Sequence, residues 1–178
     1  MQDNSYICEL KTDLDIESLR TIVFDVKDTP IDDKPTHQRI ADDVPYLKSI
    51  REKIPFLSKY FNVYRVAPED ELPVHYDAKR SCALNIPISG YKRSWTSFYE
   101  TVGEPVVEYV ERDIYYKILS PVKEVFKFTL VRPTLINNSV PHSMKNVSRR
   151  DTRIILSWSV EEGVTFFEAR QKLKEMGF

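Results

Sequence analysis

Glycine is scarce here, with four in 178 residues, so turns must rely on the eleven prolines and on Asn, Asp and Ser. Cysteine is scarcer still. Cys8 and Cys82 stand alone in unrelated contexts, which fits a reducing compartment and neither a disulfide framework nor a zinc site. No apolar run approaches the ~18 residues of a membrane span, and Met-Gln-Asp-Asn-Ser-Tyr lacks the basic and apolar regions of a signal peptide. A soluble, intracellular, cytoplasmic protein is therefore expected. Charge of one sign is also missing: 26 Lys plus Arg against 27 Asp plus Glu leave a net charge of −1. No global field draws the chain to nucleic acid or membrane, and neither is expected as a partner. What is present, 42% hydrophobic and 30% charged residues, suits one globular domain with a real core.

Along the chain, Tyr6 to Leu10 reads as a lead-in strand. Asp13 offers an N-cap for a helix carrying Ile16, Leu19, Ile22 and Val23. Residues 25–43, Asp-rich and containing Pro30 and Pro35, read as a surface loop, or as a flap in which His37 or Arg39 touches substrate. Val44 to Ile54 forms a second helix, stopped by Pro55. From Tyr60 the texture turns to short β-rich runs, at 60–67, 81–88, 94–100, 105–111, 113–119, 124–131, 134–140 and 152–160. The expected fold is mainly β with flanking helices, a jelly roll with a site in its mouth. A C-terminal helix over Thr165 to Met176, carrying Phe166, Phe167, Ala169, Leu173 and Met176, should pack on a sheet. The expected organisation is one domain: a helical and loop region over 1–59, a jelly-roll core over 60–160 and the helix region over 161–178.

Two stretches concentrate the chemistry, Leu72-Pro-Val-His-Tyr-Asp77 and Asn137-Asn-Ser-Val-Pro-His142. In a strand, His75 and Asp77 project to one side, roughly 6 to 7 Å apart along the chain, so one imidazole and one carboxylate can grip one ion. His142 is the best third ligand, because His37 sits in the polar, Asp-rich stretch. Two histidines and one carboxylate leave the opposite coordination positions open, the arrangement of non-haem Fe(II) oxygenases. Arg153, eleven residues on, opens the strand-like run Arg-Ile-Ile-Leu-Ser-Trp-Ser-Val160, and its planar fork suits a carboxylate.

These residues resemble the 2-oxoglutarate and Fe(II)-dependent oxygenases, whose pattern is His-x-Asp, a distal His and then a basic residue. His75-Tyr-Asp77, His142 and Arg153 fit in order, type and spacing over roughly residues 60–160. The surrounding wording, His-Tyr-Asp-Ala-Lys-Arg-Ser-Cys-Ala-Leu-Asn-Ile-Pro and Val-Pro-His-Ser-Met-Lys-Asn-Val, is similar to small bacterial and phage members near the prolyl and the aspartyl/asparaginyl hydroxylases. The resemblance implies a double-stranded β-helix in which His75, Asp77 and His142 hold Fe(II) and Arg153 binds the distal carboxylate of 2-oxoglutarate. With O2, an amino-acid side chain, free or in a peptide, would be hydroxylated while 2-oxoglutarate yields succinate and CO2. Asp77 favours hydroxylation, since halogenating relatives lack this carboxylate.

Tyr64 and Asn85 are further candidates to touch the co-substrate, Asn85 by sharing parity with Asp77 if the strand ran unbroken. Relatives often place Ser or Thr two positions after the arginine; here that residue is Ile155, so the carboxylate's second partner comes from another strand. Trp95, Phe98 and Tyr99 read as core or as a substrate wall. Lys92 with Arg93, and Lys145 with Arg149 and Arg150, read as solvated charge, or as a rim favouring an anionic substrate. The alternative reading is a jelly-roll or cupin-like metal-binding module without 2-oxoglutarate chemistry.

Overall fold

A computed structural model describes residues 3–25, 37–110 and 115–178, with the side chains of residues 37–39 outside the description. The strands are β1 (Ile7–Glu9), β2 (His37–Ile40), β3 (Leu57–Val66), β4 (Glu71–Asp77), β5 (Cys82–Ser89), β6 (Ser94–Thr101), β7 (Val107–Val110), β8 (Tyr115–Ile118), β9 (Val122–Phe128), β10 (Thr134–Asn137), β11 (His142–Asn146) and β12 (Arg153–Val160). The helices are α1 (Ile16–Asp25), α2 (Pro45–Lys53) and α3 (Phe166–Glu175). Two six-stranded antiparallel sheets form, in the orders β1-β10-β5-β12-β3-β2 and β7-β8-β4-β11-β6-β9. This is a mainly β, double-stranded β-helix, or jelly roll. No described helix is long and apolar enough to cross a membrane.

Strand β12 explains the layering. Its even residues Ile154, Leu156, Trp158 and Val160 join a buried cluster with Leu19 and Val23 of α1, Leu47 and Ile50 of α2 and Phe166, Ala169 and Leu173 of α3. Its odd residue Ile155 joins a second cluster, between the sheets, with Ile7, Ile136, Phe98 and Phe128. Because side chains alternate along a strand, Arg153 and Ser157 share the Ile155 face and are turned into the space between the sheets. The same alternation on β5 sends Cys82, Leu84, Ile86 and Ile88 to the helices and leaves Asn85 inward, opposite both Ser157 and Thr134.

Several sequence expectations change. The first helix is capped by Asp15, whose Oδ1 accepts from the backbone N–H groups of Glu17 and Ser18 at 3.1 Å each, and not by Asp13. Residues 37–40, expected in a loop, pair with β3 as an edge strand; residues 26–36 and the His37 and Arg39 side chains, on which the flap reading depends, lie outside the described residues. Strand β11 arises where no run of β-formers was counted, and β10 stops at Asn137, because the Asn-Ser turn bonds back to the Ser81 carbonyl. In α3, secured by a reciprocal Thr165 and Glu168 capping box, Phe167 and Met176 face solvent rather than the sheet. Both cysteines are free and buried.

Candidate metal centre

His75 and His142 sit directly opposite each other on β4 and β11, so their side chains leave the same face of one sheet. Their rings lie 4.4 Å apart between centroids. Asp77 is two residues beyond His75, on the same face. Among the described residues, these three bring one ligand atom each within 4.8 Å of one another and could together hold a metal ion. The pairing of β11 with β4 is irregular just past His142, a bulge of the kind that re-aims a side chain at a site.

The local hydrogen bonds set both histidines for ligation. Nδ1 of His75 lies 2.7 Å from the Pro73 carbonyl, and Nδ1 of His142 lies 2.8 Å from the Val140 carbonyl. A carbonyl only accepts, so each Nδ1 carries the proton and each Nε2 keeps its lone pair for an ion. Burial, together with the neighbouring His142, holds His75 far below its ordinary value, at about 3. Burial shifts His142 in the same direction. Both imidazoles are therefore neutral at pH 7, as ligation requires.

Asp77 is the opposite case. Burial disfavours its charge, but the Arg80 guanidinium, above all, outweighs that and keeps its carboxyl below the usual range. Its Oδ2 accepts from Arg80 Nε at 2.9 Å and Nη2 at 2.6 Å, and from Asn138 Nδ2 at 2.7 Å. Its Oδ1 faces His75 Nε2 at 3.8 Å. One oxygen is thus saturated with donors, and the other is free to bind an ion.

The other candidates line the same interior. Arg153 is fully buried; it donates to the Trp95 carbonyl and to Thr96 Oγ1 on β6, both at 3.3 Å. Its Nε has no acceptor, and desolvation pulls its pKa down to about 10. Asn85 Oδ1 is likewise buried without a donor; the strand from Asp77 does break, at residues 78–81, and Asn85 reaches the interior on the separate strand β5. Tyr64 packs partly buried against the inter-sheet cluster, under the Arg80 guanidinium, which lies 5.4 Å from its ring centre. The expected aromatic cluster divides: Phe98 is in the inter-sheet core, while Trp95 takes Lys127 over its ring at 3.9 Å and Tyr99 bonds Ser143 at 3.0 Å.

Sequence reading missed Arg80, Asn138 and Thr96. Arg80 follows Asp77 by three residues and Asn138 lies inside the second motif, but a turn arginine and a turn asparagine carry no signal of their partners. Thr96, on β6, puts a hydroxyl within 3.3 Å of Arg153 Nη2.

No family model matches the sequence, and no curated protein matches it. Among solved structures, the chain is similar to a prolyl-4-hydroxylase from Pseudomonas putida at 12% identity and a TM-score of 0.42, over 89% of this chain and 95% of that one. It is similar to hazelnut (Corylus avellana) vicilin at 9% identity and a TM-score of 0.40, over 71% of this chain and only 28% of the vicilin. It is also similar to an L-ribose isomerase from Cellulomonas parahominis at 11% identity and a TM-score of 0.35, over 74% of this chain and 67% of that one. At such scores these overlaps add nothing to the sheets and the residues already described.

Proposed function

We propose that the protein is an Fe(II)- and 2-oxoglutarate-dependent dioxygenase that hydroxylates an amino-acid side chain, free or within a peptide. The observation that carries this reading is Arg153, a buried guanidinium with an orphaned Nε and no carboxylate among the described residues. A buried cation without a counter-ion is costly, and it projects into the same inter-sheet space as the His75, Asp77 and His142 group.

The donor set fits the ion. Two neutral imidazoles and one carboxylate oxygen suit Fe(II) with coordination positions left for co-substrate and oxygen. His75 and His142 would bind through Nε2 and Asp77 through Oδ1, with Arg80 and Asn138 restraining Oδ2. Arg153 and Thr96 would hold the distal carboxylate of 2-oxoglutarate. Thr96 lies two residues along β6 from Phe98, which is opposite His142, so about 7 Å separate the two levels. That span suits an extended five-carbon dicarboxylate. The apolar side chains of Phe98, Ile136 and Ile155 would keep water from the space, and the Asn85 amide and Tyr64 hydroxyl would help to orient the co-substrate. Bound iron would supply the oxygen activation; the protein contributes position, charge and dryness.

Anaerobic titration with Fe(II) and then 2-oxoglutarate tests the proposal through the visible charge-transfer band of a chelated keto-acid. The band should appear in the wild type and be absent in His142→Ala. Arg153→Gln should retain iron while weakening 2-oxoglutarate at least tenfold. Iron binding with no response to the keto-acid would instead favour a cupin-like metal-binding module.

A further inference from the structure

The basic residues of the two sequence clusters, Lys92 with Arg93 and Lys145 with Arg149 and Arg150, are parted by the fold. Lys145 pairs with Glu71 at 2.8 Å and Arg149 with Glu69 at 3.7 Å. Lys92, Arg93 and Arg150 instead converge with Arg20 and Arg65 around a cavity of about 750 Å³, a volume within the usual range for small-molecule sites. Ile154 forms part of its wall. Since Ile154 belongs to the helix-side core and Arg153 points the other way, β12 separates this cavity from the metal centre.

Among the described residues its positive charge is in excess. Arg65, Lys92, Arg93 and Arg150 have no carboxylate partner among the described residues. Arg20 is paired with Glu17 at 2.6 Å and is pinned by two bonds to the Ile88 carbonyl. Among the described residues the wall holds one carboxylate, Asp151, which accepts from the Ser148 hydroxyl at 2.9 Å. Nη1 of Arg65 is buried with no acceptor, and desolvation lowers that group's pKa. A buried guanidinium N–H with nothing to donate to, in a cavity of like charges, is costly unless an anion fills it. The rim is preformed. Gly90 has φ +64°, and a Cβ there would stand 2.2 Å from the Thr152 carbonyl oxygen, so the turn carrying Lys92 and Arg93 is locked against the loop carrying Arg150. Phe24 and Tyr91 add aromatic surface beside the cations.

We infer that this cavity is a second ligand site, binding the oligophosphate group of a small molecule. Guanidinium forks match phosphate oxygens with paired hydrogen bonds, and several cations together favour a multiply charged group over a single carboxylate. The site is independent of the proposed oxygenase chemistry.

Calorimetric titration of the full chain with pyrophosphate and tripolyphosphate, at physiological ionic strength, tests this. One site per chain is expected, with tripolyphosphate the tighter ligand. Arg65→Gln and Arg93→Gln should each weaken it at least tenfold, whereas Lys145→Gln, an exposed basic position outside the cavity, and His142→Ala, in the metal centre, should leave it unchanged. Undetectable binding to the wild type at millimolar concentration would overturn the inference. So would equal weakening by Lys145→Gln, which would mean a diffuse field, or loss in His142→Ala, which would mean phosphate on the metal. A ten-nucleotide single strand that binds at least tenfold more tightly than tripolyphosphate would also overturn it, in favour of a nucleic-acid surface.

Discussion

The two carboxylate oxygens of Asp77 meet different surroundings, and that difference shapes the site. Oδ2 takes three donor contacts from Arg80 and Asn138, while Oδ1 is turned toward His75. Arg80 also donates to Ser157 on the facing sheet at 3.2 Å, so its own position is held from both sides. Groups that orient a ligand commonly change metal affinity by about 10- to 100-fold when removed. Arg80→Ala should therefore weaken Fe(II) or Mn(II) binding by that order, and it should destabilise the fold by about 3 to 5 kcal/mol because a buried charge loses its partner. Metal titration and chemical denaturation of the variant measure the two effects separately; unaltered metal affinity would show that Asp77 is aligned by backbone alone.

At the scale of the element, β12 carries two roles on one strand. Its helix-side residues seal the core, and Arg153 and Ser157 on the other side serve the interior. Both faces are covered, so the strand has no solvent face, and the burial of Arg153 follows from its parity with Ile155. Leu156, fully buried between sheet and helices, should cost about 2 to 5 kcal/mol on truncation to Ala through lost burial and the cavity left behind. The expected signature is a lowered denaturation midpoint with metal affinity retained, because Leu156 faces away from the triad. A loss of metal binding in folded Leu156→Ala protein would mean that the two faces of β12 are coupled. The missed element, β11, is instructive in the same way. His-Ser-Met-Lys-Asn has little β propensity, yet it forms a strand because β4 and β6 pair with it on both sides.

For the whole molecule, the buried histidines tie stability to pH. His75 titrates at about 3 in the folded chain against an ordinary 6.5, and His142 is shifted the same way. Below pH 6.5 the unfolded chain binds protons that the folded chain refuses, so stability falls as pH falls, by about 1.4 kcal/mol per pH unit for His75 between its two pKa values, and His142 adds to the fall in the same direction. Asp77, held below its ordinary range, acts in the same direction at lower pH. Thermal unfolding of metal-free protein should give a melting temperature that drops steadily from pH 7 to pH 4. In His75→Gln the slope should be reduced by one proton. A flat profile in the wild type would contradict neutral, buried imidazoles.

The identity and order of the chemical groups were written in the sequence. His75 and Asp77 stand two apart because strand alternation needs nothing more than local backbone geometry to put them on one face. The short β runs, the capped terminal helix and the jelly-roll class follow from equally local patterns of burial and turn chemistry. What only the tertiary structure decided was which distant groups meet. Register across β4 and β11 set His142 against His75, a turn after β10 delivered Asn138 to Asp77, and sheet facing sheet brought Thr96 to Arg153. The scattered basic residues were divided in the same way, Lys145 and Arg149 to surface pairs and Arg65, Lys92, Arg93 and Arg150 to one cavity. Such pairings depend on packing between strands remote in sequence, and neither residue type nor spacing along the chain encodes the distance across a fold.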